Sequence, residues 1–362
     1  MSEMEISAFG DSGLNSEGSV LAKRPYIATS GRYKGQPVIA VNTGNRDASG
    51  NAVYAEKLTA NATLRKDEWV DLEDQIIESA RERLVIVNDL QSAGLTYNVG
   101  GLGTLISEWE AGSEITDAVA TMDGETATEE DRQAFSLYGV PIPIIGKRFR
   151  IGERMLLASR NRGAALDVTT GTEAGRSVAR TSERMVFTGL NIGQSNSRGD
   201  QYKVHGLLTT PGRATYQIRD WSDSANVTGK DILDDVLAML RIMETENRHY
   251  GPFNLYIPGE YAFRLREDFK PDTSSDQTIE ERLLAINAIA AIRISDVMPT
   301  GNVSMIQMER TVIDLGVASD VTTVQWQSGS GMTNYFMTYA AWAPRLKQDY
   351  DGHTGIMHGS VA

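Results

Sequence analysis

The sequence predicts an α+β protein with a long projecting β-hairpin and an N-terminal arm that has no core of its own. Three observations lead there. First, Val140, Ile142 and Ile144 alternate with Pro141 and Pro143, which is the period of a strand. Two prolines two residues apart remove N–H groups along one edge, so this strand ladders only on its other edge. It therefore belongs to a ribbon or a sheet border. In a monomer such an edge is a liability; in an assembling subunit it is a means of reaching a neighbour. Second, residues 1–65 are dominated by Gly, Ser, Asn, Thr and Ala, with turn signals at Asp11-Ser12-Gly13 and Ser49-Gly50-Asn51. Third, helical and strand periodicities mix from Asp67 onward, with one core-forming region after about residue 227.

Taken in order, the arm offers only Pro37–Val41 and Ala52–Ala55 as short strands. It is either a disordered tail or an arm ordered against other subunits. Trp69, Leu72, Ile76, Ala80, Leu84 and Val87 then fall three and four apart, one face of a single amphipathic helix. Gly94 and Gly100-Gly101-Leu102-Gly103 end that segment. Glu114–Met122 and Leu137–Ile151 have strand character and flank the acidic, turn-rich run 123–131, giving a long hairpin with a charged tip. Nothing within the hairpin covers both of its faces, so it must lie on something else.

A helix follows from about Glu173 to Phe187. Arg176, Arg180 and Arg184 recur at every fourth position and make a cationic stripe. A stripe of this kind ordinarily faces solvent, but beside an acidic hairpin it also offers a docking strip for a neighbouring subunit. The expected subunit contacts are thus Glu129, Glu130 and Asp131 at the tip, and Arg176, Arg180 and Arg184 on the helix. Thr228 and Asp231 form a capping pair ahead of Ile232, Val236, Leu237, Leu240 and Met243. A buried strand is expected at Phe253–Ile257, helices at 259–269 and 279–289, and strands at 303–308, 311–315 and 321–326. The strand 335–342 returns to the first domain.

Composition excludes several classes. The chain has 362 residues, enough for two modest domains, and no cysteine, so disulfides and thiolate metal sites are ruled out. The absence fits a reducing compartment. A formal net charge of −13 argues against a sequence-independent polyanion binder. No run approaches the ~20 apolar residues of a membrane span, and the acidic N-terminus is no secretory signal. Gly139 and Gly146-Lys147 lack the spacing of a phosphate loop, and Gly101-Leu102-Gly103 lacks the third glycine of a dinucleotide fingerprint. Of His205, His249, His353 and His358, the last two are five apart, a poor metal spacing. No serine sits in a Gly-x-Ser-x-Gly elbow. No catalytic, cofactor or metal site is expected.

The order of these parts resembles the major capsid proteins of tailed phages and their relatives, the encapsulin shell proteins. Both share the Hong Kong 97-type capsid fold. The resemblance runs from about Trp69 to the C-terminus. The helix at Trp69 is similar to the family's early helix and the 106–155 hairpin to its extended loop. Arg162-Gly163, Leu166-Asp167 and Glu173 through Val186-Phe187-Thr188-Gly189 are similar to the spine helix and its approach. Phe253 to Pro258 followed by Tyr261 to Arg266, and Ile294 to Pro299, resemble the axial domain. Phe336 to Pro344 resembles the closing strand.

This resemblance implies the following division. Residues 1–65 are the N-terminal arm, 66–105 the first part of the peripheral domain, and 106–169 the extended β-hairpin loop. Residues 170–226 hold the spine helix and more of the peripheral domain, 227–330 the axial domain, and 331–362 the return strand and C-terminal tail. It implies a homo-oligomer, a shell of pentamers and hexamers enclosing double-stranded DNA without sequence-specific binding, in a virion assembled in the host cytoplasm. Portal, decoration and separate scaffolding proteins are the implied partners, since no helical charged leader precedes the arm. An encapsulin-like compartment holding an enzyme cargo is the alternative. Encapsulins begin near the Trp69 helix, whereas here a polar arm comes first. Lys147 lies at the hairpin base rather than its tip, so the crosslinking chemistry of some relatives is not carried over.

Overall fold

The computed structural model describes residues 26–27, 34, 37–46, 52–58, 66–82, 84–113, 132–155, 158, 169–195, 201–269, 277–327, 333–350 and 352–361. The two short strands expected in the arm are present and longer. β1 (Tyr26–Ile27), β2 (Pro37–Arg46) and β3 (Ala52–Leu58) form an antiparallel sheet in that order.

The expected single helix is two, α1 (Lys66–Arg81) and α2 (Ile86–Ser92). Leu72, Ile76, Ala80, Leu84 and Val87 are all buried, so the apolar spacing is real, but the backbone breaks between Arg81 and Ile86. Asn88 closes the break by donating its side-chain amide to the carbonyls of Arg81 (2.9 Å) and Leu84 (2.5 Å). Periodicity alone does not see such a break, because both pieces point into one core.

β4 (Thr96–Asn98) leads to β5 (Ile106–Gly112), which pairs antiparallel with β6 (Phe135–Pro141) in a two-stranded ribbon. The first hairpin arm thus begins at Ile106, ahead of the expected 114–122, which with the tip 123–131 lies outside the described residues. The expected second arm is also two strands. The chain bends at Ile142-Pro143, and β7 (Ile144–Gly152) joins a different sheet. Pro143 has no N–H to continue the ribbon ladder, while Ile142 still donates to Leu105 (2.9 Å). As the prolines predict, β6 ladders only on β5, and β7 sits at a sheet border.

α3 (Thr169–Thr188) packs against α1 along a glycine stripe. A Cβ on Gly175 would stand 2.7 Å from the carbonyl oxygen of Ile76, so the two backbones meet where only glycine fits. Gly189, at φ +82°, stops the helix, and its N–H bonds the Met185 carbonyl (2.9 Å). The strands β8 (Leu190–Ser195) and β9 (Gln201–Val204) pair with each other, and β10 (Ala214–Ile218) begins the second core.

That core lies under α4 (Gly229–Thr245), whose Thr228–Asp231 capping box forms as expected. β11 (Phe253–Pro258), α5 (Gly259–Leu265), α6 (Ile279–Leu284), β12 (Ile289–Ser295) and β13 (Asn302–Gln307) follow. Two strand assignments depart from the sequence reading. The segments expected at 311–315 and 321–326 are one strand, β14 (Ile313–Gln327), and it leaves this unit to pair with β15 (Thr333–Leu346). The expected C-terminal tail ends in β16 (Ile356–Val361), which fills a gap between β10 and β13. Beside the arm's sheet and the two-stranded ribbons, two larger sheets result. One has the order β10-β16-β13-β11-β12, the other β4-β14-β15-β7. α3 lies on the second, against β7 and β15, strands that are also joined by the stacked rings of Phe149 and Phe336 at 5.0 Å.

Replacing Gly175 by Ala raises helix propensity by about 1 kcal/mol, yet forces α1 and α3 apart at an overpacking cost of about 1–3 kcal/mol. The expected outcome is a net loss of stability, read as a lower urea or thermal midpoint of the purified chain. An unchanged or higher midpoint contradicts the close approach.

Candidate functional site

The ribbon β5–β6 has two unlike faces. In the register Trp109↔Tyr138 and Ser107↔Val140, the inner face holds Trp109 and Tyr138 with their rings stacked at 6.2 Å. The outer face pairs Gly112 with Phe135, Glu110 with Leu137 and Ile106 with Pro141. Phe135 is 62% exposed, Leu137 65% and the neighbouring Leu105 76%. Apolar side chains so placed gain nothing from folding, and a lone two-stranded ribbon is marginal in water.

The ribbon is anchored at its root. Arg345 on β15 holds Asp314 on β14 through two bonds of 2.5 Å, and Lys347 reaches the same carboxylate at 2.8 Å. All three polar groups are buried or nearly so. Arg345 also points a nitrogen at Ser107 of β5 (3.4 Å) and lies 4.0 Å over the ring of Tyr97 on β4. A charged fork at this depth fixes which strands meet, because a lone buried charge is costly.

A second bracket joins the two cores. Glu183 on α3 is fully buried and accepts the N–H groups of Val85 (2.8 Å), Val87 (3.1 Å) and Ile86 (3.3 Å) at the start of α2. Burial pushes its carboxyl up to about 7, against those three donors, which favour the charged form. One turn on, Asp89 of α2 accepts the hydroxyl of Tyr256 on β11 (2.8 Å) and lies 3.4 Å from Arg293 on β12. Burial first, and then Asp89, hold the Tyr256 hydroxyl above its usual range. The short helix α2 is thus tied to α3 on one side and to the five-stranded sheet on the other.

Of the expected contact residues, Glu129, Glu130 and Asp131 lie outside the described residues. Arg176 pairs within the chain, with Glu173 (2.8 Å) and Glu82 (3.8 Å). Arg180 and Arg184 are exposed and have no ion partner among the described residues. Sequence reasoning passed over Glu183, though its signal was present. Ala179, Ser182, Glu183 and Val186 share one buried helical face, so a glutamate stood on an apolar stripe. Asp314 and Arg345 carried no local signal, being 31 positions apart. Among the described residues no group of three or more His, Asp or Glu is placed to hold a metal, and no helix is long and apolar enough to cross a membrane.

The two-sheet architecture, the long helix α3 on the border sheet and the projecting ribbon define the Hong Kong 97-type capsid fold, and solved structures agree. The chain is similar to the virus-like particle from Pyrococcus furiosus (TM-score 0.54, 19% identity, 81% of this chain and 99% of that one). It is also similar to the capsid of Myoviridae phage XM1 (TM-score 0.56, 14% identity, 75% and 91%). Among curated proteins it is similar to the type 1 encapsulin shell protein EncA of Myxococcus xanthus (strain DK1622). There the identity is 25% over 293 residues, 80% of this chain and 92% of that protein. Residues 58–359 match the family described as "Family of unknown function (DUF6260)", and the chain belongs to it.

Glu183 has a pH signature. Its carboxyl rises from 4.5 to about 7 on folding, so between those values the folded state holds a proton the unfolded chain has lost. This group therefore makes stability fall as pH rises across that window and leaves it flat above. Glu183→Gln keeps an oxygen for Val85 and Val87 and removes the titration. Urea midpoints at pH 5, 6, 7 and 8 are expected to lose that slope in the variant; an unchanged slope contradicts the assignment.

Proposed function

We propose that the chain is a structural, non-enzymatic subunit of a closed icosahedral shell, assembling as pentamers and hexamers. The observation that carries this is the ribbon, whose outer face exposes Phe135, Leu137 and Ile106 and has nothing among the described residues to cover it. A neighbour supplies the missing cover, and repetition over many interfaces turns small gains into a stable assembly. On this reading the five-stranded unit with α4 is the axial domain, set round the symmetry axes. The four-stranded sheet with α3 as its spine is the peripheral domain.

Of the two kinds of shell, we favour a phage head that encloses double-stranded DNA, with separate scaffolding and portal proteins and assembly in the host cytoplasm. The three-stranded sheet β1–β3, an arm ahead of α1, supports this. The compartment reading, a shell around an enzyme cargo, is favoured by a different observation, the likeness to an encapsulin shell protein over 92% of that protein's length.

Expressed alone and examined by light scattering and negative-stain microscopy, the chain is expected to give capsomer rings or closed particles. A monodisperse monomer at high concentration, with a ligand-filled pocket, overturns the proposal. In particles from the native source, double-stranded DNA supports the phage head and a protein cargo the compartment.

A further inference from the structure

Two chain connections between the cores meet at one histidine. The first carries the chain from Leu207, in the first core, to Ala214 at the start of β10, which packs on the second. The other runs from β15 to β16. Gly212 of the first lies so close to the Gly352 carbonyl of the other that a Cβ there would strike it. His358 stands on β16 between β10 and β13, opposite Thr215 and Ser304. It shares a sheet face with Ile356, which belongs to the first core, whereas Met357 points the other way into the second.

The half-buried imidazole is held at both nitrogens. Arg213 donates its Nε–H to Nδ1 (3.3 Å), and Nε2 bonds Asn302 Oδ1 (2.8 Å). Nδ1 accepts and so carries no proton; Nε2 carries the only one, and the ring is neutral. Arg213 also donates to the Thr210 carbonyl (2.8 Å), which folds the first connection back on itself. A second proton on the ring has only Nδ1 to occupy. There it displaces the Arg213 donor and sets two cations side by side. Burial first, and then the Arg213 charge, hold the imidazole below its ordinary range.

No carboxylate pairs with His358 among the described residues. β13 presents Asn302 and the Ser304 hydroxyl, which donates to the Met357 carbonyl (3.3 Å). Tyr256 of β11 and Arg293 of β12 continue the same row across the sheet, and both are engaged by Asp89. In the connection from β15, Lys347 holds Asp314 (2.8 Å) and Asp349 takes the N–H of His353 (2.6 Å). α4, with its own charges, packs on the opposite face.

We propose that Arg213 and His358 form an acid-sensitive latch between the two cores: the neutral imidazole ties the β9–β10 connection to β16, and its protonation releases Arg213 and loosens that connection. The inference is independent of what the subunit assembles into.

The test is histidine C2-hydrogen exchange read by mass spectrometry, which follows each of the four imidazoles separately at any assembly size. In the full-length chain, His358 is expected to titrate below the 6.5 of a free imidazole, and Arg213→Gln to raise its midpoint by at least about half a pH unit. Amide exchange in peptides covering 209–216, corrected for the intrinsic effect of pH, is expected to speed up about tenfold from about pH 7.5 to about pH 5. His358→Gln, neutral at every pH with both a donor and an acceptor, is expected to abolish that acceleration.

Stability carries a matching sign. As pH falls, the unfolded chain takes up the His358 proton before the folded one, so this group makes stability drop below pH 6.5. That is the reverse of Glu183, and His358→Gln is expected to raise the urea midpoint relative to the parent on the acid side only. A histidine with a merely structural role shifts it equally at every pH.

The parent's own titration needs no variant: a His358 midpoint at or above 6.5 overturns the latch. So does a midpoint that Arg213→Gln leaves unmoved, or acid-accelerated exchange that persists in His358→Gln. None of these outcomes touches the shell reading.

Discussion

The outer face of the β5–β6 ribbon, with Phe135 and Leu137 in water, is the constraint on which the rest of the structure turns. Two strands bury one face against their own body and leave the other open, and no loop or helix of the described chain lies over it. The cores are not built to compensate. One gathers α2, α3 and the inner face of the border sheet; the other gathers α4 and the five-stranded sheet. Both are made of deeply buried side chains, and the ribbon gives only its inner face, Val140 and Trp109, to the first. An exposed apolar face of this kind marks a surface for a partner, which the shell reading supplies as a neighbouring copy.

That arrangement needs a rigid base, and the buried polar groups provide it. Arg345, Asp314 and Lys347 lock β14 and β15 together and touch the ribbon root through Ser107. Glu183 and Asp89 bind the short helix α2 to α3 and to β11 in turn. Buried charges of this sort are weak sources of net stability, because desolvation offsets most of their attraction. Their effect here is positional. They join elements that are far apart in the chain: β14 to β15 and the ribbon root, and α2 to α3 and β11.

Much of this was legible in the sequence. The prolines at 141 and 143 announced a strand with one usable edge, and the structure places them at a ribbon and at the turn into a sheet border. The arginine stripe and the Thr228–Asp231 cap were also readable, because they are local. What escaped was long-range. β14 and β16 each look like plain strands, and nothing in their own residues says which sheet they enter; β16 is placed by pairing with β10 and β13, far away in the chain. The α1–α2 break escaped because Leu84 and Val87 stay on one apolar side after the backbone turns. The link between Asp314 and Arg345 escaped because alternation shows which face a residue takes and not its partner.

The account stands on one claim, that the ribbon's open face is completed by another copy. Hydrogen–deuterium exchange measures this directly, by comparing peptides spanning 105–112 and 135–141 in assembled particles and in the dissociated chain. Edge amides of a two-stranded ribbon exchange quickly unless covered. The account predicts at least about tenfold slower exchange in the particles at those two stretches. Equal exchange in both states would contradict it.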